Sequence, residues 1–260
     1  MKKTKFTLCS IALLGMTAAV HSATISWDSS VQMFQGSTVE TFVSTTGSSV
    51  VALNGTGDAA NGNVTVNGVS FSQAAQGTTV TGALGATVTV SAGNIHNSAF
   101  GDGEFNSNAA IYHLIQGAIY NTSAVSFGGL TIGNEYQIQL FMNDARGNRS
   151  TNFIGGVGNG TGAGGVAATL QLNNSPADGS APVAPQTDAG DSIIGTFIAD
   201  AATQSFDVYG TNSGNVANLG IGDSRAHVNA VQLRDITAVP EPSSALLALL
   251  GLGFGLRRRR

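Results

Sequence analysis

Two short clusters of polar residues carry most of the chemistry this sequence offers. Asp102, Glu104, Asn106 and Asn108 alternate along a glycine-containing stretch, Gly101 to Asn108. Calcium is held by about six to eight oxygen ligands, and closely spaced carboxylate, amide and carbonyl oxygens on such a loop can supply them. The spacing is not that of an EF-hand, because Ser107 stands where that loop needs glycine and His113 where it needs its last glutamate. A calcium loop and a plain solvated loop leading into a helix both remain open. The second cluster is Asn143, Asp144, Arg146 and Arg149, with Asp223 and Arg225 placed to join it from just before the final strand. Planar polar side chains on a rim of a β-protein suit the binding of sugar hydroxyls. The competing expectation is an internal ion pair between Asp144 and an arginine.

Other patterns carry less. Carboxylate pairs such as Asp102 with Glu104, or Asp144 with Asp223, have the groups glycoside hydrolysis needs, but it also requires a separation of about 5–9.5 Å that spacing in sequence does not set. Gly160, Gly162 and Gly165 form a dinucleotide fingerprint in letters only, since strand-like Ala168–Leu172 follows where a helix is needed. His21, His96, His113 and His227 show no two-histidine metal spacing, and no serine sits in a Gly-x-Ser-x-Gly elbow. No catalytic residue is assigned, and the body is expected to be non-enzymatic. Trp27, the lone tryptophan, is expected to pack in the first strand.

These residues sit in a chain whose charge is unevenly spread. Of eleven basic residues, Lys2, Lys3 and Lys5 open the sequence and Arg257, Arg258, Arg259 and Arg260 close it. Between them, residues 24–238 hold four arginines against fourteen carboxylates, a net −10, and no lysine. A nucleic-acid partner is excluded on that count, because phosphate binding needs a basic patch. Thirty-five glycines, with apolar residues at 42% and charged ones at 10%, describe a folded, turn-rich chain and not a disordered one.

The elements that must position the clusters are mainly strands. Tyr136, Ile138, Leu140 and Met142 alternate with Gln137 and Gln139 over Glu135–Asn143, the clearest strand pattern in the chain. Similar patterns cover Thr38–Val43, Val50–Asn54, Asn63–Phe71, Thr87–Ser91, Ala124–Leu130, Ala168–Leu172, Ile193–Ala199, Gln204–Tyr209 and Val228–Ile236. One helix is expected over Ala109–Ile119, capped by Asn108. The fold class that follows is all-β: a jelly-roll or galactose-binding-like β-sandwich with one short helix.

The two ends differ from the body. Residues 1–23 have a positive start, an apolar stretch from Phe6 to Val20 and small residues after it, the pattern of a secretory signal cleaved after Ser22 or Ala23. Cys9, the one cysteine, would leave with that signal, so disulfides are not expected in the body. At the other end, Pro240-Glu241-Pro242 is followed by apolar Ala245–Leu256 and the four arginines. An apolar run of that length spans about 18–21 Å as a helix, short of the roughly 30 Å hydrocarbon core, so a transmembrane helix there would be a marginal anchor with its arginines on the cytoplasmic side.

Pro240, Glu241 and Pro242, the short apolar run and the arginine cluster together resemble the PEP-CTERM sorting signal of Gram-negative bacteria. The resemblance implies export by the general secretion machinery, processing by an exosortase, passage through the inner membrane as a precursor and delivery to the outer surface or extracellular matrix. The segments Val66–Phe71, Leu130–Phe141, Ile194–Asp200 and Val228–Arg234 are similar to those of β-sandwich modules found in PEP-CTERM proteins of Verrucomicrobia and related phyla. This division gives a signal over 1–23, a sandwich over 24–236 and a sorting segment over 237–260. Exopolysaccharide or another glycan is the expected ligand class, a structural matrix role the alternative, and a glycan-active hydrolase a more distant one.

Overall fold

Alternating apolar residues joined by tight turns dictate a chain of short strands, and the computed structural model contains seventeen. It describes residues 23–34, 39–56, 62–74, 77–91, 93–96, 110–144, 153–161, 165–172, 188–211, 213, 215–223 and 225–237. In chain order the strands are β1 (Ser26–Trp27), β2 (Val31–Phe34), β3 (Ser48–Asn54), β4 (Val64–Val66), β5 (Val69–Gln73), β6 (Thr79–Thr81), β7 (Thr87–Val90), β8 (Asn94–His96), β9 (Ala118–Tyr120) and β10 (Ala124–Gly128). They continue with β11 (Glu135–Met142), β12 (Ile154–Val157), β13 (Ala168–Gln171), β14 (Asp188–Ile198), β15 (Thr203–Thr211), β16 (Gly220–Ile221) and β17 (Ala230–Asp235). A helix, α1 (Ala110–Ile115), lies between β8 and β9.

The strands form two main sheets. The first has the order β1-β14-β11-β17-β3-β5-β4 with β2 beside β14, and the second β13-β12-β15-β10-β7-β6 with β16 beside β15. The pairings are antiparallel except β3 with β5, which is parallel. Between the sheets lies a core that includes Leu53, Val88, Val125, Phe127, Ile138, Leu140, Phe206, Val208 and Leu233. The first sheet is buried on its outer face too, where Ala52, Phe71, Phe141 and Ala230 pack against Ile111, Leu114 and Ile115 of α1. The expected all-β sandwich with one short helix is the observed architecture.

Several elements differ from expectation in instructive ways. Asn63–Phe71 is two strands, β4 and β5, because Asn67 and Gly68 both take positive φ (48° and 74°) and turn the chain back on itself. Asn-Gly is the pair that such a hairpin turn favours. Val39–Phe42 is a 3-10 turn, not part of a strand. The helix stops at Ile115, four residues early, because Ala118–Tyr120 pairs as β9 with β8. The expected cap Asn108, the N-terminal signal and the C-terminal segment lie outside the described residues.

The β6–β7 hairpin makes the same kind of turn with unsuitable chemistry. Leu84 (φ 55°) and Gly85 (φ 79°) stand where β4–β5 has Asn and Gly, and the Ala86 amide donates to the Ala83 carbonyl at 3.1 Å. An L-residue other than Asn or Asp pays about 1 kcal/mol or more for the left-handed region. Leu84→Asn is therefore expected to stabilise the protein by about 1 kcal/mol, or about 2–4 °C in thermal midpoint for a domain of this size. A midpoint at or below that of the native chain in a melting experiment contradicts this account.

Candidate functional site

The cluster expected at the exit of β11 exists in part. Strand β11 delivers Asn143 and Asp144 to the end of the first sheet, where both side chains are fully buried. The Asp144 amide donates to the Leu172 carbonyl at 2.7 Å, which fixes the backbone. Its Oδ2 lies 3.8 Å from Arg225 Nε, an ion pair longer than a hydrogen bond. The Arg225 guanidinium carbon sits 4.2 Å above the centre of the Phe153 ring, a cation–π arrangement. Gly210 lets Arg225 in: a Cβ there would stand 2.0 Å from the Arg225 carbonyl carbon. Asp223 shares this turn, its carbonyl accepting from the Ala226 amide at 2.8 Å. With the Asp144 side chain closed to solvent and that of Arg225 15% exposed, only the arginine can touch a solute. Arg146 and Arg149 lie outside the described residues.

Asn143 belongs to a different constellation, which sequence reasoning missed. Three asparagines from three strand ends bind carbonyls at and just beyond the end of α1. The Asn229 side-chain amide donates to the Ile115 and Gly117 carbonyls, 2.9 Å each. That of Asn143 donates to Ile115 at 3.3 Å, and that of Asn54 to His113 at 3.3 Å. Asn229 Oδ1 in turn accepts from the Asn143 amide at 2.7 Å. A short helix end buried without such partners would leave orphan carbonyls, so these residues dock α1 onto the sheet.

The outer face of the first sheet holds a second buried polar lattice. Gln137 and Gln139, on the face opposite Tyr136, Ile138 and Leu140, lie beneath the segment 42–47. Ser44 donates through its amide to Gln139 (2.8 Å) and through its hydroxyl to Gln137 (2.6 Å). The Gln232 amide group bridges the Ser44 carbonyl (3.1 Å) and Gln139 Oε1 (2.7 Å). The Arg234 guanidinium donates to the carbonyls of Thr46 (2.6 Å), Thr45 (3.0 Å) and Gly47 (2.7 Å). Burial lowers its pKa from the ordinary arginine value.

A cavity of about 650 Å³ opens at one end of the sandwich, lined by residues including Val50, Leu84, Asn134, Tyr136, Asp235 and Thr237. Burial pushes the Asp235 carboxyl up, but hydrogen bonds from Thr237 and from Asn134 (2.7 Å) outweigh it and hold the group below its ordinary value. The Tyr136 hydroxyl accepts from the Thr131 amide at 2.9 Å. These polar groups are satisfied within the protein, which leaves the cavity wall mostly apolar.

The remaining candidates are quickly placed. Asp102, Glu104, Asn106 and Asn108 lie outside the described residues, and among the described residues no group of three or more His, Cys, Asp or Glu could hold a metal ion. His96 and His227 flank the Tyr120 ring at 6.4 and 6.1 Å. Trp27 packs edge-on against Phe206 at 5.2 Å and donates to the Gly158 carbonyl at 3.1 Å.

The chain beyond Thr237 supplies the most specific signal. Residues 238–260 match the family model described as the PEP-CTERM protein-sorting motif. The chain carries a PEP-CTERM sorting tail. It is thus an exported protein sorted by exosortase and bound across the membrane for the surface or exterior. Pro240, Glu241, Pro242 and Arg257 to Arg260 fall within the match, outside the described residues. Among the described residues no helix is long and apolar enough to cross a membrane.

No curated protein matches this PEP-CTERM chain. Among solved structures it is similar to Bacteroides uniformis β-glucuronidase 2 covalently bound to cyclophellitol-6-carboxylate aziridine, with 15% identity, 72% of this chain covered and a TM-score of 0.40. It is also similar to Bacteroides uniformis β-glucuronidase, again with 15% identity and 72% coverage and a TM-score of 0.39. The match spans 18% of the length of either of those chains.

Proposed function

We propose that this exosortase-sorted protein delivers a non-enzymatic sandwich to the outer surface or extracellular matrix of a Gram-negative bacterium, where it binds glycans. The observation that carries the delivery is the sorting motif at 238–260, which begins directly after the last residues of the sandwich. Removing Val239–Arg260 is expected to release the protein into the medium or leave it in the periplasm. Unchanged fractionation of the truncated chain overturns this.

Support for glycan contact comes from the outer face of the second sheet. Thr79, Thr89, Ser126 and Ser205 stand in register across β6, β7, β10 and β15. Two neighbouring pairs of hydroxyls, Thr79 with Thr89 (2.7 Å) and Ser126 with Ser205 (2.8 Å), hydrogen-bond along the row. Thr81, Thr87 and Thr203 continue the pattern in the next row. Strands about 4.8 Å apart make this an uncharged field of hydroxyls, suited to weak contacts repeated along a polysaccharide. The outer edge of Arg225 over Phe153 is a further contact for a sugar, with Asp144 acting from behind it. Closure of Asp144 to solvent, which removes one half of its carboxylate pair with Asp223, supports a non-catalytic body.

Co-sedimentation of the protein with exopolysaccharide tests the reading. Replacing Thr79, Thr81, Thr87 and Thr89 by Val keeps the β-branched shape and is expected to abolish binding without lowering the melting midpoint. Full binding by that variant removes the hydroxyl face from consideration. If the native protein does not sediment but remains enriched at the surface, it is a structural matrix component. A calcium requirement in the same assay that is lost in the Asp102→Asn, Glu104→Gln variant assigns calcium to the Asp102, Glu104, Asn106 and Asn108 loop.

A further inference from the structure

We infer that one end of the sandwich is a lipid-facing surface, pressed against the bilayer while the precursor is held at the membrane; this rests on the sorting function proposed above. Both ends of the folded body lie at that end. Ala23, the first described residue, donates its amide to Asp200 Oδ1 (3.1 Å) and accepts at its carbonyl from Gln204 (2.8 Å). Thr237, the last, accepts from the Glu135 amide at 2.9 Å, and Glu135 is in register with Ile198. The described body therefore begins and finishes at the same end of the sandwich.

Three connections at this end touch one another, and a large apolar side chain in or beside each projects into solvent. Leu84 is fully exposed (105%), Ile132 is 65% exposed and Ile198 62%. The connections interlock through the Leu130 amide on the Ala202 carbonyl (3.1 Å), the Ala199 amide on the Asn134 carbonyl (2.9 Å) and the close approach of Gly129 to Gly85. Leu84 combines full exposure with a left-handed backbone, two costs that the described fold does not repay. Strain of that kind at an exposed position points to a use outside the fold. Seven residues separate Thr237 from Ala245, at most about 25 Å of extended chain, so the apolar tail holds this end close to the interface. The mouth of the 650 Å³ cavity, with Leu84 in its wall, faces the same way.

The occupant is a bilayer surface, contacted by shallow insertion of Leu84, Ile132 and Ile198. The body's net charge of −10 gives it no general attraction to anionic lipid, so the contact depends on apolar burial and on the tail.

The test uses the full chain with Cys9→Ser and one added cysteine per protein, carrying a polarity-sensitive dye, in vesicles of phosphatidylethanolamine and phosphatidylglycerol. Quenching by nitroxide-labelled lipid is expected to be several-fold stronger for Leu84→Cys, Ile132→Cys and Ile198→Cys than for Val216→Cys and Ile221→Cys, exposed positions at the opposite end. Leu249→Cys reports whether the tail itself enters the bilayer. Quenching at position 249 with equal signals at both ends of the sandwich overturns the lipid-facing surface and leaves the sorting function standing. Absence of quenching at position 249 overturns the membrane role of the tail, and the inference with it.

Discussion

Asn229→Ala is expected to cost about 3–4 kcal/mol of stability, measured by denaturant unfolding, through the loss of three buried hydrogen bonds at about 1–1.5 kcal/mol each. The bonds lost are those to the Ile115 and Gly117 carbonyls and from the Asn143 amide; the Ile115 carbonyl keeps the longer bond from Asn143. Against a typical total of about 5–15 kcal/mol this is a large fraction. The isosteric Asn229→Asp is expected to be worse than Ala, because it sets a carboxylate against two carbonyl oxygens in a buried site. An aspartate variant as stable as the native chain contradicts the assignment of donors. Because α1 covers Phe71 and Phe141 on the outer face of the first sheet, loosening its end exposes that second core as well.

Arg234→Ala is the second large effect, expected at about 2–4 kcal/mol. Charge-assisted bonds from a guanidinium contribute about 1.5–3 kcal/mol each, but removing the side chain also removes the cost of burying its charge. The depressed pKa of Arg234 reflects that cost. Three carbonyls of one short segment, Thr45 to Gly47, depend on it. Lysine cannot reproduce the planar fork, so Arg234→Lys is expected to recover less than half of the loss. Hydrogen exchange should quicken first at Ser44, whose amide is otherwise protected by Gln139. Protection of Ser44 unchanged in both variants contradicts a clamp over this segment.

The strands were legible in the sequence because a sandwich writes its core as alternation, and Glu135–Met142 reads that way directly. The split at Asn67-Gly68 went unread in Asn63–Phe71, although the chemistry of that dipeptide names its turn. The burial of Gln137, Gln139 and Gln232 was not legible. A polar residue pointing out of a sheet looks the same in sequence whether it meets water or a chain segment that offers a bond for each of its atoms. For the same reason Val39–Phe42, whose residues favour a strand, is a 3-10 turn: neighbouring carbonyls are taken by glutamines nearly a hundred residues away or more. Of the expected rim, Asp144 and Arg225 do meet, but no spacing rule announces that the carboxylate faces inward. The asparagine trio had a visible residue, Asn229, and no visible partner, since Ile115 is 114 positions distant. The sorting tail was legible throughout because it is recognised as a linear string and needs no fold to bring its parts together.

The position of β17 in the first sheet sets the order in which that sheet can close. It lies between β11 and β3, so without it the sheet falls into two halves, β1-β14-β11 and β3-β5-β4. It is also the last strand among the described residues, two residues short of Thr237. On the export proposed above, a chain leading with its N-terminus cannot close this sheet before β17 has crossed, which would couple closure of the sheet to arrival of the sorting motif that follows it.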